Sequence, residues 1–169
     1  MERLEDLYMV EQDMAEIRHQ ATTLRECGGA LFLFGIWAAV RNALYLILFR
    51  DEVFGDLGDV PNSLFYVVVI GVVIVLMLPD LVIRYYCWRG SRRLARGEKC
   101  PRFYMPLLVF LCLYMLLVVG YDAYAFTDEE LLLSVLVSLI IDATSALVCI
   151  QTLVAAIKVK RYVEETAQA

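Results

Sequence analysis

"GGALFLFGIWAAVRNALYLILF", residues 28–49, holds one ionisable side chain, Arg41, in an otherwise oily run. About 20 mostly apolar residues make a helix that crosses a bilayer, so this stretch reads as a membrane span. Three further stretches qualify, at 64–83, 104–126 and 131–159. The whole chain of 169 residues is 61% hydrophobic with a mean hydropathy of +0.66. Soluble domains are closer to half apolar, and a soluble bundle would need far more polar surface than these runs offer. The expected fold is an all-α integral membrane protein. A four-transmembrane-helix bundle (28–159) follows an N-terminal amphipathic cytoplasmic helix (1–27) and precedes a short tail (160–169).

Basic residues sort to one side of that arrangement. Arg3, Arg18 and Arg25 precede the first span. Arg84, Arg89, Arg92, Arg93, Arg96, Lys99 and Arg102 fall between the second and third, and Lys158, Lys160 and Arg161 close the fourth. Lysine and arginine stay on the cytoplasmic side of short-looped membrane proteins, so both termini are expected inside. The opposite loops are acidic, with Asp51, Glu52, Asp56 and Asp59 in one and Asp128, Glu129 and Glu130 in the other. No cleavable leader is expected, because residues 1–27 are charged and lack a short apolar run with a small-residue cleavage site. The basic inner cluster (Arg89, Arg92, Arg93, Arg96, Lys99, Arg102) reads first as a topology determinant and second as a contact for anionic lipid head groups. It is short and pinned to the bilayer, which argues against nucleic acid as a partner.

The N-terminal helix repeats Leu7, Val10, Met14, Ile17, Ala21 and Leu24 at alternating steps of three and four. That is a heptad seam. Its remaining face is chiefly acidic, unlike a helix made to lie on an anionic membrane. Two readings stay open: packing against another helix, in a dimer or a partner, or docking on the membrane interface or the basic loop. Gly28-Gly29 is expected to form a joint to the first span.

A charge near the bilayer centre costs at least about 2.5–3.5 kcal/mol and normally finds a partner. Arg41 lies about 12 Å below the outer end of the first span, and Asp142 about 16 Å below that of the fourth, at 1.5 Å per residue. Matching depth suggests an ion pair. Ser134, Ser138, Asp142, Ser145, Cys149 and Thr152 share about 80° of arc on the fourth span, a small polar stripe of the kind that lets membrane helices approach. Tyr45, one turn from Arg41, could join a network of Arg41, Tyr45, Ser138, Asp142 and Ser145. Gly35, Ala39 and Ala43 form a small-xxx-small stripe on the other side of the first span. Two protein-facing sides suggest that this span is central in the bundle or meets a second subunit. Asp80 and Arg84 are spaced for a same-helix salt bridge and are expected at a snorkelling helix end after Pro79. Asp122 is expected to meet water and tyrosines at the outer interface.

Reactive constellations are missing from the sequence. The five cysteines include no CxxC pair and match no zinc spacing, and the single histidine sits in the N-terminal helix. There is no HExxH, GxSxG or phosphate-cradling glycine loop. No catalytic residues, metal or cofactor are expected. The residues point to a non-enzymatic assembly, scaffold or regulatory subunit, with membrane lipids and a homo-oligomer or membrane-protein partner. The alternative is a small oligomeric transporter or channel subunit with Asp142 and Arg41 in an ion or proton pathway.

"WRGSRRLARGEKCPRFYMPLLVFLCL" (88–113) and "LLSVLVSLIIDATSALVCIQTLVAAIKVKRY" (132–162) resemble the second half of small four-span bacterial membrane proteins. Those share a basic, glycine-containing inner loop and an acid in the last span. The resemblance carries no activity. It implies a bacterial cytoplasmic membrane.

Overall fold

The computed structural model describes residues 2–48, 62–125 and 132–166, and all but 95–103 are helical. The helices are α1 (Glu2–Leu48), α2 (Asn62–Leu94), α3 (Tyr104–Ala125) and α4 (Leu132–Thr166). Side chains are described from Met14 in α1, continuously from Met77 in α2, and from Leu136 in α4. The two acidic loops and the side chains of Leu7, Val10 and Ser134 therefore lie outside the described residues. α1 packs against α2 and α4, and α3 against α4, with a lighter contact closing the ring between α2 and α3.

Three helices are long and apolar enough to cross a membrane: Met14–Leu48, Tyr104–Tyr124 and Leu136–Thr166. Over its described residues α2 is not a fourth. The apolar run expected as the second span, 64–83, falls largely on residues whose side chains lie outside the described ones. At 1.5 Å per residue α3 is about 33 Å long, close to a hydrocarbon core, whereas α1 is about 70 Å long.

α1 differs from the expected helix–joint–helix. It runs unbroken through Gly28-Gly29. Gly28 serves close approach, not bending: a Cβ there would lie 2.7 Å from the Cβ of Ser91 on α2, whereas one on Gly29 would make only ordinary contact, 3.8 Å from Trp88 Nε1. The heptad seam therefore continues inward as Leu24, Gly28, Leu31 and Gly35, all buried. Its outer part is met by α4 of the same chain. Glu16 pairs with Lys158 Nζ at 2.8 Å, and Tyr162 donates its hydroxyl to Met14 Sδ at 3.0 Å.

α2 stops in a Schellman turn. Gly97 takes φ 75°, its N–H donates to the Leu94 carbonyl at 2.9 Å, and the Glu98 N–H donates to the Arg93 carbonyl at 3.1 Å. A left-handed residue at this position favours glycine. The core at this end is Leu24, Leu94, Tyr104, Leu108, Ala155, Ala156 and Val159.

Candidate functional site

Polar groups line the inside of the bundle in two clusters. The first joins α1 to α4. Arg41 Nη1 donates to Ser138 Oγ at 2.6 Å and to Asp142 Oδ2 at 2.9 Å, and Ser138 Oγ donates to the same carboxylate oxygen at 3.4 Å. The Asp142 side chain is 6% exposed and that of Arg41 30%. The stripe on α4 turns inward as its spacing suggests, with Asp142, Ser145, Cys149 and Thr152 all buried. Thr152 donates back to the Val148 carbonyl at 2.7 Å and so satisfies itself.

One residue expected in this cluster makes no hydrogen bond in it. Ser145 is buried, but its Oγ has no hydrogen-bond partner among the described residues. It sits nearly one turn below Asp142, out of reach of Arg41. Tyr45 is half exposed. Asp122 of α3, expected at the wet interface, instead faces Asp142, Arg41 and Ser138. Tyr121 and Tyr124 near it are 72% and 78% exposed, and Asp122 turns the other way. One of its carboxylate oxygens, Oδ2, is buried without a hydrogen-bond partner among the described residues. The cluster thus sets two carboxylates against one guanidinium.

The second cluster overturns the expectation for Arg84. Its salt bridge to Asp80 is present, Nε to Oδ2 at 2.7 Å, but the Arg84 side chain is only 2% exposed. It does not snorkel. It reaches across the bundle, where Nη1 donates to the Leu31 carbonyl of α1 at 3.3 Å and Nη2 lies 2.9 Å from Met115 Sδ of α3. Gly35 makes the room, since a Cβ there would collide with Arg84 Cδ. The small-residue stripe on α1 therefore faces α2, at least through Gly35, while Ala39 and Ala43 are partly buried. Both protein-facing sides of α1 are occupied within one chain, Gly35 by Arg84 and Arg41 by Asp142.

Two further contacts escaped sequence reasoning. Ser91 and Tyr104, both fully buried, share a hydrogen bond of 2.8 Å between α2 and α3. Cys112 and Cys149 bring their sulfurs to 2.8 Å between α3 and α4. Only the inward stripe on α4 hinted at the second. No cluster of histidine, cysteine or acidic residues among the described residues is arranged to hold a metal.

The basic cluster stands apart at the end where α2 meets its connection to α3. Arg89, Arg92, Arg93, Arg96, Lys99 and Arg102 are all exposed. Glu98 pairs with Arg93 at 2.8 Å and with Arg96 at 3.6 Å. In the same connection, burial pushes the Cys100 thiol above its ordinary pKa, which keeps it protonated and unreactive near neutrality. No protein family, curated protein or solved structure matches the chain, so function is argued from these residues alone.

Proposed function

We propose that the chain is a multi-pass protein of a cytoplasmic membrane that catalyses no reaction and works as an assembly or regulatory module through its helix faces. One observation carries this reading. Each intramembrane arginine is engaged between helices of the bundle, Arg41 tying α1 to α4 and Arg84 tying α2 to α1 and α3. Removing one partner of a buried ion pair costs about 3–5 kcal/mol, so such ties hold one arrangement of helices. In this reading α2 is the fourth crossing, through its apolar residues 64–83, and both termini face the cytoplasm with the basic connection. A cysteine placed at Asp56 or Asp128 should then react with a membrane-impermeant maleimide from outside intact cells, and one at Arg96 only after permeabilisation. In sealed proteoliposomes with an imposed pH gradient, a module of this kind gives no proton flux above empty vesicles.

A second reading, a small transporter or channel subunit, is favoured by Asp122. Two carboxylates against one guanidinium leave the cluster one positive charge short, and buried charges of this kind often mark ion or proton paths. Flux that disappears in Asp122→Asn would overturn the module in favour of this alternative.

A further inference from the structure

The arginines at the end of α2 form more than a charged face. Arg89, Arg92 and Arg93 fall within about 100° of arc on one side of the helix, and Arg96 follows in the turn that ends it. They rim a hollow of about 370 Å³ whose floor is Tyr85 and Trp88. That size lies in the range of small-molecule sites, about 300–1,000 Å³. Two groups contact Trp88. The ring of Phe32 stacks on it, with centroids 5.4 Å apart and planes 8° from parallel. The guanidinium of Arg92 lies 5.3 Å from its centre. Glu98 anchors Arg93 and Arg96. Trp88, Arg92, Arg93 and Arg96 are thus positioned before any ligand arrives, and Arg89 stands exposed beside them.

Charge around the hollow is unbalanced. One carboxylate, Glu98, stands among four guanidiniums. Of the other described acids near this end, Glu16 pairs with Lys158, Glu164 with Lys160 and Glu165 with Arg161. Glu26 of α1 is exposed and in no ion pair among the described residues, so the guanidiniums still outnumber the carboxylates at this end. Depth completes the picture. Tyr85 and Trp88 are residues of the aromatic belt that sits at a bilayer interface. Arg89, Arg92 and Arg93 follow within about 8 Å along the helix, the level of the polar head groups, which add roughly 5–8 Å on each side of the hydrocarbon.

We infer that this hollow binds the phosphate of an anionic phospholipid head group, with Arg89 and Arg92 as the two free donors and Trp88 as the floor. Arginine's planar fork suits bidentate contact with phosphate oxygens. A zwitterionic head group would bring an ammonium beside the arginines, so the site favours a phosphate without one. The inference rests on the membrane-crossing reading above.

The test uses the full chain, purified in detergent, with native mass spectrometry to count bound lipid. Phosphatidylglycerol and phosphatidylcholine of equal chain length are titrated, and inorganic phosphate and glycerol phosphate test the free source. Phosphatidylglycerol should bind the tighter. Arg89→Gln/Arg92→Gln should weaken it by about tenfold to hundredfold, the loss of charge-assisted hydrogen bonds. Lys160→Gln/Arg161→Gln removes the same charge from α4 and should leave binding nearly unchanged. Arg92→Lys, which keeps the charge and loses the fork, should weaken it more than that control does. Equal losses in both double variants would overturn the inference, as diffuse attraction. Binding of inorganic phosphate with the same arginine dependence but no lipid preference would overturn the lipid assignment. Carbonate extraction separates the two levels. A chain that stays with membranes but shows no anionic preference refutes the site, whereas a chain released by carbonate refutes the membrane reading.

Discussion

Arg41 and Asp142 should be unequal partners. The guanidinium is 30% exposed on its side chain and the carboxylate 6%. In Asp142→Ala, Arg41 keeps Ser138 at 2.6 Å and has a side chain long enough to turn toward a more polar neighbour. The lost charged hydrogen bond is worth about 1.5–3 kcal/mol, and relief for Arg41 brings the net loss toward about 1 kcal/mol. In Arg41→Ala, Asp142 stays buried with the long Ser138 bond and with Asp122 facing it. It loses its positive partner and keeps a negative neighbour, so the cost should reach about 3–5 kcal/mol. The double variant should lose less than the sum of the two, with a coupling of about 1.5–3 kcal/mol. Ordinary hydrogen bonds between membrane helices couple by only about 0.6 kcal/mol, so the two cases are separable. The assay is reversible unfolding in mixed micelles, read by circular dichroism, for the parent, both single variants and the double. Losses that add to within about 0.5 kcal/mol, or a larger loss from Asp142→Ala, would refute the reasoning.

Other expected outcomes test the remaining contacts. Asp122→Asn should leave thermal stability unchanged or raised, because it removes a second negative charge facing Asp142, whereas Asp142→Asn should lower it; the two melting temperatures in lipid nanodiscs decide this. Gly35→Val should lower the melting temperature well beyond Gly71→Val, since a Cβ at Gly35 meets Arg84 Cδ and one at Gly71 meets nothing within 4 Å. Tyr104→Phe strands Ser91 in a fully buried position and should cost about 1–3 kcal/mol by denaturant titration. Lys158→Ala should change nothing measurable in a thermal scan, because both partners of the Glu16 pair are half exposed.

How much was legible in the residues depended on whether a signal was local. Composition and run length mark the helices, because a membrane helix must be oily throughout its crossing. The depth of Arg41 and Asp142 is a local count too, and the structure brings them together. Arg84 differs. At the end of an apolar run an arginine has two outlets, outward to the head groups or inward to the bundle, and its own sequence does not choose between them. Gly35, 49 residues away by number, chooses by leaving a gap at the same level. Gly28-Gly29 misled for a related reason. Glycine reads as a hinge in a single chain, whereas here Ser91 of α2 occupies the space that a side chain at Gly28 would fill. Asp122 differs for a third reason: depth along a helix does not say which way a side chain turns, and with Tyr121 and Tyr124 facing out, Asp122 faces Asp142 and Arg41.

The unbroken passage of α1 past Gly28 has a mechanical consequence. Gly28, pressed on Ser91, is a fulcrum. Met14 lies about 21 Å to one side of it and Arg41 about 20 Å to the other, at 1.5 Å per residue. A lever with equal arms transmits displacement without gain. If something shifted the Met14 end sideways by about 1 Å, Arg41 would swing about 1 Å the other way, enough to strain a hydrogen bond whose useful range spans about 0.5 Å. A stiff rod of this kind reports touch at one end as a broken contact at the other.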